Sequence, residues 1–90
     1  MKTYYWNSEK NILLKTERGI SFEDIMYYIE HDKLLAIINH PLPDKYPGQK
    51  IYIVEINHYA FLVPFVETDN EIFLKTIIPS RKATKKYLEK

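Results

Sequence analysis

Basic and aromatic side chains at the ends of apolar runs are the residues in this chain best suited to chemistry. Lys50 begins a strand-like run behind a proline-rich loop, Lys75 lies within another, and Arg81 follows Ile77-Ile78-Pro79. If those runs pair in meander order, Lys50, Lys75 and Arg81 converge on a phosphate. The fixed donor fork of arginine suits an oxyanion, and in phosphodiester cleavage it stabilises the developing pentacovalent charge. Trp6, Tyr52 and Tyr59 offer planes on which bases can stack. Residues 81–90 hold Arg81, Lys82, Lys85, Lys86 and Lys90 against Glu89 alone, a net charge of +4, and the remainder carries −3. A basic helix on a mildly acidic body makes a local anion-attracting stripe. The plainer alternative is a solvated helix, with lysines guarding strand ends and tyrosines half-buried in a sheet.

Other chemistries lack their residues. His31, His40 and His58 fall in three separate segments without an HExxH or carboxylate cluster, so no metal site is expected. Ser21 and Ser80 stand where helices begin, and neither sits in a GxSxG turn. Gly19 and Gly48 are the only glycines, too few for a P-loop or a dinucleotide cradle, so no cofactor is expected. The absence of cysteine excludes disulfides and thiolate zinc, and fits a reducing compartment. The start, Met1-Lys2-Thr3-Tyr4-Tyr5-Trp6, runs into Asn7-Ser8 without an apolar signal core, which predicts a cytoplasmic address. No run approaches the ~18 apolar residues of a membrane span.

Positioning falls to one small domain, residues 1–90, with 46% hydrophobic and 28% charged residues. A chain of this size fills one layered core but leaves little to wall a deep pocket. A polymer lying across the surface is therefore the easier substrate. Thr3–Trp6 reads as a short strand or arm. Asn7 or Ser8 caps a helix through Lys15 with Ile12, Leu13 and Thr16 inward, and Gly19 stops it. Ser21-Phe22-Glu23-Asp24 has capping-box spacing, and Phe22, Ile25, Met26 and Ile29 repeat at helical intervals up to His31-Asp32. Leu34–Ile38 reads as a buried strand, and His40–Gln49, with three prolines, as a loop. Lys50–Ile56, Tyr59–Val66 and Ile72–Ile78 follow as strands, joined by Asn57-His58 and by Glu67–Glu71. Alternation along the last puts Ile72, Leu74, Thr76 and Ile78 on one side, with Phe73, Lys75 and Ile77 on the other. Ser80 caps a final helix, Arg81–Glu89. The expected class is α+β, with helices on one face of an antiparallel sheet of about four strands.

Two separated motifs resemble BrnT-type toxins. Tyr5-Trp6-Asn7-Ser8-Glu9-Lys10 is similar to that family's aromatic-x-Trp-Asp-x-x-Lys opening, and Arg18-Gly19-Ile20-Ser21-Phe22-Glu23 to its Lys-His-Gly-Val-Ser-Phe-Glu. Ile77-Ile78-Pro79-Ser80-Arg81-Lys82-Ala83-Thr84 resembles Ile-Ile-Ser-Ala-Arg-x-Ala-Thr. The resemblance implies a RelE-like fold and the toxin of a type II toxin–antitoxin pair. It also implies a metal-independent endoribonuclease that inhibits translation, acting through the RNA 2′-hydroxyl on the adjacent phosphate. Its partner would be a ribbon-helix-helix antitoxin encoded nearby, through which alone operator DNA is reached. Glu17-Arg18 replaces the family's Lys-His, and Thr76 stands where it carries arginine.

The ribonuclease reading uses Arg81, Lys50 and Arg18 as phosphate and transition-state cations and Glu17 as proton acceptor. Trp6, Tyr52, Lys75, Lys82 and Lys85 then hold RNA. The second reading keeps the fold without the cleavage: a non-catalytic BrnT-like module that works by binding a DNA-binding antitoxin. Either way Tyr59–Val66 is the expected docking strand, because Pro64 marks it as an edge or a bulge.

Overall fold

The computed structural model describes residues 2–89. In chain order the elements are β1 (Thr3–Trp6), α1 (Ser8–Arg18), α2 (Phe22–Glu30), β2 (Leu34–Asn39), β3 (Gln49–Ile56), β4 (Tyr59–Glu67), β5 (Glu71–Leu74), β6 (Ile78–Pro79) and α3 (Arg81–Tyr87). The caps lie where side-chain chemistry places them. The Asn7 side chain accepts from Lys10 N, and Gly19 closes α1 in the left-handed conformation at φ 69°. The capping box of α2 is complete, with Ser21 and Asp24 each accepting from the other's backbone N–H. Asn57 and His58, at φ 53° and 64°, form the two-residue hairpin between β3 and β4.

The sheet has six strands in the order β1-β5-β4-β3-β2, with β6 also on β4. It is mixed, because β1 runs parallel to β5 while the other pairs are antiparallel. The expected antiparallel sheet of about four strands is corrected on both counts. Each face carries its own core. Leu14, Phe22 and Ile25 from α1 and α2 cover Tyr52, Val54, Ile56, Val63 and Phe65. On the opposite face Ala83 of α3 covers Ile51, Ile53 and Ala60. Odd and even residues of β3 thus feed different cores, so the helices lie on both faces and not on one. In α1 the buried residue is Leu14, while Ile12 and Leu13 are exposed.

β4 is central, with β3 on one side and β5 and β6 on the other, so it is not the expected edge strand and has no free side for another chain. Pro64 sits at an interruption instead. Its carbonyl accepts from Lys75 N at 2.8 Å. The N–H and C=O of a strand residue point the same way, so its missing donor faces residues 75–77, between β5 and β6. Those three residues leave the ladder and the alternation slips by one. Ile72 and Leu74 join the α1/α2 core, whereas Ile78 pairs with Leu62 on the α3 side and is 40% exposed.

Candidate nucleic-acid interface

The α3 face of the sheet is only half covered. Helix α3 is held by Ser80, whose side chain accepts from Ala83 N, and by Thr84. Thr84 Oγ1 accepts from Ala60 N and donates to Ser80 O, both at 2.8 Å. These bonds pin the helix over the hairpin end of β4 and leave the rest of that face open. Beside α3 runs a groove of about 340 Å3 with an apolar floor that includes Ile38, Ile51, Ile53 and Leu62. Lys82 and Lys86 stand along its rim. Arg81 and Lys85, one helical turn apart, are both exposed and make no ion pair among the described residues.

Beyond Pro64 the same face is aromatic. Tyr5 and Phe73 are cross-strand partners on β1 and β5 and remain 45% and 40% exposed. Lys75 lies two residues past Phe73, its Nζ 5.9 Å from the ring centroid. Exposed rings beside cations on a sheet are a surface on which bases stack while phosphates are neutralised. The sequence signal for this pair was strand parity. Tyr5 and Phe73 are odd-numbered between Tyr4, Trp6, Ile72 and Leu74, which turn to the α1/α2 core.

The residues expected to act are divided between the two faces. Lys75, Arg81, Lys82 and Lys85 belong to the α3 side. Lys50 lies on the other side, paired across the ladder with Phe65, and its Nζ is 3.8 Å from Glu67. Glu67 also takes Lys2 at 2.5 Å, and that hydrogen bond, more than either charge, holds its carboxyl below the usual carboxylate range. The convergence of Lys50 with Lys75 and Arg81 is therefore not formed. Arg18 ends α1 and donates to Ile77 O. It lines a cleft of about 430 Å3 with Asp24, Tyr28 and Tyr59. Glu17 is exposed on α1. Trp6 stacks on Phe22 with centroids 5.6 Å apart, and Tyr52 on Phe65 at 4.0 Å. Tyr52 is 5% exposed, which leaves no face for a base. Among the described residues no group of three or more His, Cys, Asp or Glu gathers to hold a metal, and no helix is long and apolar enough to cross a membrane.

No known family, curated protein or solved structure matches the chain.

Proposed function

We propose that this protein binds single-stranded RNA across the open half of its sheet, as the toxin of a cytoplasmic type II toxin–antitoxin pair with a BrnT-like, RelE-like fold. The observation that carries the RNA-binding part is one side of the sheet bearing the exposed rings of Tyr5 and Phe73 with Lys75 beside them, and Lys82 and Lys86 along the groove by α3, a helix that also exposes Arg81 and Lys85. The toxin role comes from the motif resemblance, with a ribbon-helix-helix antitoxin as partner. In the cleavage that role implies, Arg81 supplies charge to the phosphorane formed by the 2′-hydroxyl. Expression of the chain alone then arrests growth, and cleaved RNA carries 2′,3′-cyclic phosphate ends. Arg81→Ala relieves the arrest while the protein stays folded. Full toxicity in that variant overturns the role of Arg81.

A second reading, a non-catalytic module that works through its antitoxin complex, is favoured by the engagement of Lys50 with Glu67 and of Arg18 with Ile77 O. Glu17, the assigned proton acceptor, is on α1, whose packing is with the other face. Harmless expression and intact RNA, together with a stable complex with the protein encoded next door, select this reading.

A further inference from the structure

Given the RNA-binding role of the open face, β5 and the residue that follows it set a carboxylate, an aromatic ring and an ammonium close together. Glu71 and Phe73 alternate onto the α3 face at a spacing of roughly 7 Å, and Lys75, just past the end of β5, brings its Nζ to 5.9 Å from the Phe73 ring centroid. Their parallel partners on β1 are Thr3, opposite Glu71, and Tyr5, opposite Phe73. Between these strands and β4 lies a hollow of about 310 Å3 lined by Tyr5, Trp6, Val66, Thr68, Glu71 and Phe73. Tyr5, Trp6, Phe73 and Val66 make its walls, and Thr68 and Glu71 add an aliphatic hydroxyl and a carboxylate.

The backbone of Glu71 is fixed by the turn before it. Glu71 N donates to Thr68 Oγ1 at 3.1 Å, and Glu71 O accepts from Thr68 N at 2.9 Å. The carboxylate makes no ion pair among the described residues, so its acceptors are uncommitted. A carboxylate has two oxygens and no donor. It is complementary to a base edge that offers two adjacent N–H groups. Guanine has that edge, N1–H beside the N2 amine. Adenine and cytosine place an amine beside an acceptor, and uracil flanks its single N–H with two carbonyls that repel a carboxylate.

We infer that the hollow over β1, β5 and β4 is a guanine subsite: Glu71 takes N1–H and N2–H, Phe73 and Tyr5 hold the ring, and Lys75 neutralises the phosphate. The polarity of β5 settles the orientation. Its anionic end meets the base edge and its cationic end meets the phosphate, so a nucleotide laid the other way sets like charges together. Past Lys75 the chain leaves the ladder and leads through β6 into α3, which carries Lys82 and Lys86.

The test uses the full chain and the four 5′-nucleoside monophosphates, followed by quenching of Trp6, which lines the hollow. GMP is expected to bind roughly ten-fold tighter than AMP, CMP or UMP. Glu71→Gln collapses that preference to within about three-fold while measurable binding persists, and Phe73→Ala weakens all four, with circular dichroism confirming the fold. Equal affinities, a preference that survives in Glu71→Gln, or no nucleotide binding overturns the subsite. An oligouridine carries no guanine and reports the open face separately. Its retention alongside equal nucleotide affinities removes the guanine subsite and keeps RNA binding, whereas its failure to bind removes the RNA-binding face itself.

Discussion

Tyr52 shows how a residue chosen for chemistry serves packing instead. Its ring is stacked on Phe65, and its hydroxyl has the Tyr4 hydroxyl at 3.4 Å, a long and weak contact. Burial, with a smaller contribution from Tyr4, pushes its hydroxyl well above the usual tyrosine range. The native chain keeps this proton where the unfolded chain gives it up, so alkali favours unfolding. Stability therefore falls as pH rises past about 10, the ordinary tyrosine value. Urea midpoints at pH 9 and pH 11 are expected to differ more in the wild type than in Tyr52→Phe, which has no such proton to lose. At this scale capping was legible, because Asn7, Ser21, Gly19 and Ser80 act through their immediate neighbours. The roles of Trp6 and Tyr52 were not, because which side of a strand meets helices is decided by residues far along the chain.

Among the elements, α3 depends most on one side chain. Thr84 is buried and satisfies the Ala60 N–H. Thr84→Val keeps the shape and removes the acceptor, leaving a buried donor unpaired at a cost of about 1–3 kcal/mol. Thr84→Ser is expected to recover most of that in a urea titration. Such a loss loosens the helix that carries Lys82 and Lys86, so RNA affinity should fall along with the stability. The helices and hairpins were readable from capping and periodicity. The last strand was not, because Ile72–Ile78 alternates without a visible break. Its interruption comes from Pro64 on a neighbouring strand, whose missing donor faces residues 75–77. The parallel placement of β1 left no trace in four residues of pattern. Nor did the position of α3 on the opposite face, which depends on the parity of β3 and β4.

For the whole molecule, a net charge of +1 hides a divided surface. Lys75 and the cations of α3 share a face, whereas Lys2 and Lys50 are paired with Glu67. On the proposed RNA-binding role, electrostatic attraction is accordingly local. If about four phosphates are neutralised there, the logarithm of affinity falls with the logarithm of salt at a slope of about −3, since a single strand gives roughly 0.7 per phosphate. Lys75→Ala should reduce that slope by about 0.7, and Lys50→Ala should leave it unchanged. Oligouridine binding measured across a range of salt concentrations checks both values.

The pairing of Thr3–Trp6 with Glu71–Leu74 also bears on when the surface comes into being. Synthesis makes β1 early and must wait through both helices and three further strands for the segment it lies against. Contacts so distant along the chain carry a loop-closure cost that slows folding. Tyr5 and Phe73 therefore meet only after β2, β3 and β4 have been made, so the aromatic pair is absent from any chain that has not yet extended through Glu71–Leu74.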